Sequence, residues 1–408
     1  MSSALRTLRN VNLLYLIAGR TTAAFGNSLF LLALPWYAIA VLHSTQDLML
    51  TGLALTAPRI LGLFVGVLVD RWNNKLVLIG SDITRAVLAV AVFWLVGSGT
   101  HLFGVVLILV FVITALAEFF SPAFNAYFKA VVPKDQLSSA ASLRQSAAKT
   151  GQVLGLAVGG GLIATSGIPL LFVIDSASFI VSALSIFVIP IKGLAGNRVP
   201  RSSFWAELKE GYQFIGSSWR LLRIIIAVAI TNFTLAPFDI VLAFYIKDHL
   251  GLSSVFFGLA SAALAVGDVV GSLLSGLFLS GIDLARTAKY SLVGIGLAIA
   301  SVGLITNISL LMVVIFLGGI LIGSVSGNLT GLILHSVPRE LMGRVRSPLN
   351  AIAGFGMPLG TLIFGALLRH IPVEWVFVLL GLCCVLSAVN FWIRSSHSSI
   401  SSIASRQP

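Results

Sequence analysis

Long apolar segments recur along the whole chain, and they constrain its fold more than any other feature. Windows of about 18 or more mostly apolar residues follow one another with short polar turns between them. Such segments match the thickness of a bilayer core, where lipid offers no partners for backbone N–H and C=O groups. Only 10% of the 408 residues are charged and 57% are hydrophobic, which excludes an ordinary soluble domain. The sequence therefore predicts an all-α polytopic membrane protein.

The apolar pattern predicts twelve membrane spans. They lie near residues 11–41, 48–69, 76–97, 102–128, 136–165, 168–190, 220–246, 253–280, 287–306, 309–334, 343–368 and 373–393. With twelve spans, both termini lie on one face of the membrane. The longest polar stretch, 191–219, divides six spans from six. We therefore predict an N-terminal bundle (1–190), a linker (191–219) and a C-terminal bundle (220–408).

Lysine and arginine residues are distributed unevenly between the two faces. The termini, the linker and the turns after spans 2, 4, 8 and 10 carry most of them, whereas the turns after spans 1, 3, 5 and 9 carry none. Because basic loops stay in the cytoplasm, both termini and the linker are expected there, and the chain is expected to span a cytoplasmic membrane. The net charge of +12 then reflects topology, and we expect no nucleic-acid partner.

The linker contains an apolar stripe at helical spacing. The stripe consists of Phe204, Trp205, Leu208, Tyr212 and Ile215. This pattern predicts a short amphipathic helix on the inner leaflet, with a simple tether as the alternative.

The two halves of the chain repeat one another at an offset of 205 residues. Val132, Pro133, Gly151, Leu154, Gly155, Gly160 and Leu162 recur as Val337, Pro338, Gly356, Leu359, Gly360, Gly365 and Leu367. This indicates a parallel duplication of a six-helix unit, a pattern of secondary transporters. Glycines present in both copies indicate close helix contacts. The fold does not require charges found in one copy only: Glu118, Lys149 and Asp175 stand opposite Gly323, Gly354 and Leu380.

Two motifs carry a family resemblance. The segment GVLVDRWNNK between spans 2 and 3 is similar to Gly-x-x-x-Asp-Arg-x-Gly-Arg-Lys/Arg of the major facilitator superfamily, and Gly66, Asp70, Arg71 and Lys75 match it, whereas Asn73 and Asn74 depart from it. The segment GQVLGLAVGGG resembles the antiporter motif of span 5. There Gly151, Gly155, Gly159 and Gly160 match, and Leu156 replaces the usual proline.

The resemblance covers most of the chain and points to the efflux branch with macrolide and enterobactin exporters. It implies two pseudo-symmetric six-helix bundles that export an amphipathic, drug-like small molecule, by proton antiport and alternating access. Asp70 would then act as a gate that holds the halves together on one face. A siderophore or lipid exporter of the same fold is the alternative. We expect a monomer without cofactor, metal or enzymatic activity, since no nucleotide-binding loop or clustered catalytic set is visible.

Ionisable side chains within spans are functional candidates because burying a charge in the bilayer costs at least about 2.5 kcal/mol. The candidates for proton coupling or for the cavity are Arg20, Arg59, Glu118, Lys149, Asp239 and Asp268. In the resembled family the helices of spans 1 and 4 border the cavity, so we expect Arg20 to pair with Glu118, either as a proton switch or as a static ion pair. Asp239 and Asp268 are the second choice for coupling. Asp82 and Arg85, three residues apart in span 3, predict a structural pair.

Overall fold

The computed structural model describes residues 10–62, 65, 69, 72–99, 102–190, 204–278, 284–337 and 342–389. These residues form fourteen α-helices and no β-strand. The helices of the first half are α1 (Val11–Ala40), α2 (Thr45–Thr56, followed by a 3₁₀ segment Ala57–Leu61), α3 (Asn74–Gly97), α4 (Phe103–Val131), α5 (Leu137–Ser166) and α6 (Pro169–Val188). They correspond to predicted spans 1 to 6.

The helices of the second half follow a linker helix, α7 (Phe204–Ser217). They are α8 (Trp219–Leu235), α9 (Phe238–Phe244, followed by a π-helical turn Tyr245–His249), α10 (Ser254–Phe278), α11 (Leu284–Val302), α12 (Ile308–Ser336), α13 (Met342–Leu367) and α14 (Val373–Val389). Helices α8 and α9 together form span 7. We call the membrane face where α1 begins and α14 ends the terminal face, and the other the opposite face.

The chain has the predicted fold of twelve spans in two six-helix bundles. Seven helical segments of the described residues are long and apolar enough to cross a membrane by length and composition alone. Two further apolar helical stretches, Ile352–Leu367 and Val373–Val389, are shorter. The bundle boundaries 1–190, 191–219 and 220–408 stay predictions.

Two spans are interrupted by proline. Pro58 cannot donate a backbone hydrogen bond to Ala54, and the chain changes there from α-helix to the 3₁₀ segment. The hydroxyl of Thr114 on α4 lies 3.0 Å from the freed carbonyl of Ala54 and 2.8 Å from the carbonyl of Val110 in its own helix, so its single hydrogen is available to the freed carbonyl inside the membrane. Pro237 separates α8 from α9 in the same way. Span 2 and span 7 are therefore discontinuous near the middle of the protein.

Glycines shared by the two repeats allow close packing of the same helix pair in each half. A Cβ at Gly155 of α5 would collide with the backbone of Phe25 on α1, and one at Gly360 of α13 would collide with the backbone of Phe233 on α8. Gly159 likewise leaves room for Leu29 of α1. The structure thus places Gly155 and Gly360 at close helix contacts, which is the geometry that the predicted packing role requires.

The two halves meet along two seams related by the repeat. Helix α5 contacts α10, and α2 contacts α13. At the opposite-face end of the first seam, a Cβ at Gly160 would meet Ser254 and Gly258, and the hydroxyl of Ser254 donates to the carbonyl of Gly160 at 2.9 Å. In the second seam Gly365 packs against Met49, which is the same pair shifted by 205 residues. These contacts hold the halves together near the opposite face.

An aromatic contact adds to this closure. Trp36, at the end of α1, stacks on Phe257 of α10 with ring centroids 5.7 Å apart and an interplanar angle of 18°. Only 5% of Trp36 is exposed, so this residue belongs to the closed end of the protein and not to an open cavity.

The predicted linker helix is present as α7, and it packs against α13 and α8. Its residue Ile215 is 3% exposed and joins a buried apolar cluster with Leu221, Ile225, Val345 and Leu349. Part of the apolar stripe therefore contacts the C-terminal bundle, so α7 is a docked helix and more than a tether. The side chains of Phe204, Trp205 and Leu208 lie outside the described residues.

Candidate functional site

An ion pair joins the two halves in the middle of the first seam. Lys149 of α5 places its Nζ 2.5 Å from Oδ2 of Asp268 on α10. Lys149 lies about 18 Å along α5 from its first residue, which is near mid-membrane. The side chains are 33% and 23% exposed, so solvent reaches both. The sequence had named both residues but had not predicted that they meet.

The repeat indicates that the fold does not need this ion pair. The counterparts of Lys149 and Asp268 are Gly354 and Leu63, and neither is charged. Gly354 of α13 packs beside the backbone of Arg59, where a Cβ would lie 3.5 Å from the carbonyl oxygen. Leu63 lies outside the described residues, so the structure describes only the Gly354 side of the second seam at this level, where a glycine takes the place of the lysine.

Each broken span presents one charged side chain close to its proline. Arg59 follows Pro58, and Asp239 lies two residues after Pro237 in the first turn of α9, where a carboxylate is favoured by the helix dipole. Both side chains are exposed to solvent, although Asp239 is surrounded by protein atoms. For Asp239 this combination is typical of a group that lines an internal cavity and does not face lipid.

Glu118 lies beside span 2. Its Oε2 is 3.1 Å from the position that a Cβ of Gly62 would take, and Arg59 is the charged group that acts on it. The side chain is half-buried. Glu118 and Arg59 therefore occupy the same region of the N-terminal half, next to the α2–α13 seam.

The predicted pairing of Arg20 with Glu118 is not observed. Among the described residues, three ion pairs have N–O distances within 4.0 Å: Arg85–Asp82, Lys149–Asp268 and His249–Glu374. The guanidinium of Arg20 instead lies 5.5 Å from the ring centroid of Phe120, and the charges that act on it are Arg85, Asp82 and Arg144. Helices α1 and α4 do border each other, but the side chains of Arg20 and Glu118 turn toward different neighbours.

A buried group of charges lies behind Arg20, between α3 and α6. The predicted pair of Asp82 and Arg85 is confirmed, with Nη1 and Oδ1 3.6 Å apart. Asp175 of α6 is 0% exposed and lies on the other side of Arg85, whose guanidinium carbon is 3.9 Å from the ring centroid of Phe179. Both carboxylate oxygens of Asp82 and of Asp175 lack hydrogen-bond partners. Sequence analysis noted Asp175 as unmatched in the repeat but gave it no role.

The motif between spans 2 and 3 is described only in part. Gly66, Asp70 and Arg71 lie outside the described residues. Lys75 donates from Nζ to the carbonyls of Phe187 and Ile189, at 2.9 Å each, and so caps the last turn of α6. Asn73, at the glycine position of the motif, accepts from the N–H of Lys75 at 3.0 Å and begins α3.

Two further features bear on ligands. An apolar cleft lies between α8, α9, α10, α11 and α12, and Leu235, Phe238, Leu264 and Ile299 line it. Phe238, which lines the cleft, directly precedes Asp239 in the sequence. Within the part of the chain that the structure describes, no group of three His, Cys, Asp or Glu side chains is placed to hold a metal ion.

Sequence comparison relates the chain to transporters. The profile of the Major Facilitator Superfamily matches residues 16–345 and, in a second alignment, 224–407. Macrolide efflux protein A of Streptococcus pyogenes is 25% identical over 378 residues, which cover 91% of this chain and 93% of that protein. The multidrug efflux pump Tap of Mycolicibacterium fortuitum is 25% identical over 390 residues, covering 92% and 94%.

Solved structures show the same fold at low sequence identity. The nucleoside transporter NupG superposes with a TM-score of 0.76 at 14% identity, covering 93% of this chain and 98% of NupG. A bacterial homologue of the iron transporter ferroportin, in an inward-facing state, gives a TM-score of 0.71 at 16% identity, covering 94% and 99%. At such low sequence identities, the likeness to these two proteins shows a shared fold only.

Proposed function

The chain belongs to the major facilitator superfamily, and we propose that it exports amphipathic, drug-like small molecules from the cytoplasm in exchange for protons. It is a multi-pass membrane transporter and not an enzyme. Export is supported by relatives named for efflux of macrolides and of multiple drugs. A siderophore or a lipid is the alternative cargo on the same fold.

The Lys149–Asp268 ion pair is the observation that supports proton exchange. It crosses between the halves at mid-membrane and is accessible to solvent. Asp268 can be occupied in turn by Lys149, by a cationic or hydrogen-bond-donating group of the cargo, or by a proton. Because these three occupants exclude one another, cargo and proton travel in opposite directions through the same acid. Glu118 beside Arg59, and Asp239 in the broken span 7, remain candidate groups for cargo or proton in the same interior.

The conformation fits the first step of export. The halves are closed near the opposite face by Gly160 against Ser254 and by Trp36 against Phe257. If the terminal face is cytoplasmic, cargo enters from the cytoplasm while the outer side is sealed. The intact ion pair then corresponds to the empty, deprotonated transporter.

We expect a gradient-dependent flux from purified protein in liposomes. When a proton gradient is imposed across the membrane, vesicles should accumulate a macrolide such as erythromycin or a cationic dye, and each should move protons in the opposite direction. Collapse of the gradient with a protonophore should stop uphill transport but leave downhill exchange. Uphill transport that persists without the gradient would rule out proton antiport, and uptake of only siderophores or lipids would assign the alternative cargo.

Orientation can be tested by labelling. In a Cys383→Ser/Cys384→Ser background, Ser202→Cys in the linker should resist an impermeant maleimide added to intact cells, because Lys and Arg residues hold the linker in the cytoplasm. Thr306→Cys, in the exposed turn between α11 and α12, is the matched control and should react. Labelling at Ser202 but not at Thr306 would invert the proposed topology.

Asp70 is proposed as a gate at the terminal face, from the motif alone. An acid at the end of span 2 has little effect on topology, so a contact made in one conformation is the role that the motif match supports for Asp70. We expect Asp70→Asn to reduce gradient-driven transport strongly at normal abundance. Lys75→Ala should instead lower the amount of folded protein, because Lys75 caps α6. Normal transport by Asp70→Asn would remove this residue from the gating mechanism.

A further inference from the structure

Asp175 is a buried carboxyl group without a close partner for its ionised form. It is 0% exposed, and neither oxygen makes a hydrogen bond of normal geometry. The nearby hydroxyl of Ser178 donates at 2.7 Å to the backbone carbonyl of Asp175 and not to its carboxyl group. None of the ion pairs found among the described residues includes it. An ionised carboxylate buried without partners is among the most unfavourable arrangements in a protein interior, so this burial favours the neutral form of the group.

A partner for the ionised form is already beside it. Arg85 is held between Asp82 and Asp175, and both acids act on it electrostatically. Its contact with Asp82 is loose, because 3.6 Å exceeds the 2.7–2.9 Å of a good charge-assisted hydrogen bond, and its Nε has no acceptor. The guanidinium can therefore turn from Asp82 to Asp175 when Asp175 loses its proton.

The second bundle indicates that the fold does not need an acid here. Asp175 corresponds to Leu380 of α14, which is also 0% exposed. The same place in the same fold is thus filled by a buried apolar side chain. Because the fold is compatible with a leucine at this position, the acid in α6 has a role other than packing.

From these observations we propose that Asp175 is a second proton-binding site, which releases its proton to water when Arg85 moves from Asp82 to Asp175. The O–H bond of the carboxyl breaks, the proton goes to water, and Arg85 neutralises the carboxylate. Asp82 is then left to Arg20, the α1 arginine that acts on it. The charges that face this site are Arg85 and Asp82 from α3 and Arg20 from α1, with Arg144 of α5 acting on Arg20. The site's part in transport rests on the proton antiport proposed above, but its protonation does not.

Helix α1 covers the site. Gly26 of α1 packs directly over Asp175, and a Cβ there would lie 2.9 Å from Oδ1. Six residues earlier on the same helix lies Arg20, which acts on Asp82. A change in the charge of Asp175 is therefore felt by α1 through direct packing and through the charges of Asp82 and Arg20. Because Asp175 is 0% exposed beneath Gly26, exchange of its proton with water requires a movement of the helices that cover it.

Infrared spectroscopy of the reconstituted full-length protein tests the site without any cargo. At neutral pH, where exposed carboxyl groups are ionised, wild type should show a carboxylic acid C=O band that shifts in D₂O. Asp175→Asn should lose one component of this band, and so should Asp175→Leu, which copies Leu380. Asp135→Asn, at an exposed acid in the 3₁₀ turn before α5, should leave the band unchanged.

Each outcome decides between the alternatives. A wild-type spectrum without the band, or an unchanged band in either folded variant, would overturn the proposal even if proton antiport is correct. Failure of antiport in liposomes leaves the band assignment standing and removes only its link to transport. With antiport established, full gradient-driven export by folded Asp175→Leu would show that the proton on Asp175 takes no part in coupling and would overturn that part of the proposal.

Discussion

Asp268→Asn is expected to abolish gradient-driven export while the protein remains folded and inserted. The change leaves Lys149 without its partner in the seam between the halves and removes the acid that we propose to alternate between cargo and proton. With side chains 33% and 23% exposed, the pair falls between surface pairs worth about 0–1 kcal/mol and buried pairs whose disruption costs about 3–5 kcal/mol. The loss of this pair is therefore expected to destabilise the present conformation by an amount between those two values, whereas the loss of gradient-driven export follows from the missing titratable group.

The double variant Lys149→Gln/Asp268→Asn separates coupling from structure. It removes both charges, so no unpaired charge is left in the seam, but it contains no titratable group there. Downhill exchange should recover relative to Asp268→Asn, whereas uphill transport should not. Glu118→Gln is the matched comparison on the other side of the interior. Uphill transport that is normal in Asp268→Asn but lost in Glu118→Gln would place the coupling acid beside Arg59.

Gly160→Leu is expected to prevent closure at the opposite face and to stop transport. A side chain at this position would meet the backbone of α10 at Ser254 and Gly258, and backbone atoms cannot turn aside as a flexible side chain can. The halves would be wedged apart where they now close. Cysteine accessibility near the opposite face should rise, and efflux should fall to background at normal abundance.

Two other glycines provide graded controls. Gly161 is the next residue on α5, and a Cβ there meets nothing within 4 Å, so Gly161→Leu should transport like wild type. Gly365→Leu, at the repeat position in the second seam, should have an intermediate effect because its nearest obstacle is the flexible side chain of Met49. Equal behaviour of Gly160→Leu and Gly161→Leu would show that the α5–α10 seam does not gate transport.

Much of the architecture could be predicted from local features of the sequence. Apolar length gave the spans, because lipid forces the backbone to satisfy itself within one helix. The repeat predicted that Gly155 and Gly360 serve helix packing, and the structure places each against the first span of its own half. Pro58 and Pro237 break their spans, whereas Pro35 and Pro122 lie inside continuous helices, so proline alone does not predict where a span is interrupted. A more specific signal for these two breaks was available in the sequence, because a charged residue lies within two positions after each of these prolines.

The sequence by itself determined which residues are charged inside the membrane, and only the tertiary structure decided which of them meet. Arg20 and Glu118 lie on bordering helices but face different neighbours, while Lys149 and Asp268, which are 119 residues apart, are in contact. Span length, helix breaks and topology depend on properties of short segments. A contact between side chains depends on the rotation, tilt and register of two helices, which are fixed by packing of the whole bundle. The position of Arg85 between Asp82 and Asp175 depends in the same way on how α3 and α6 pack together.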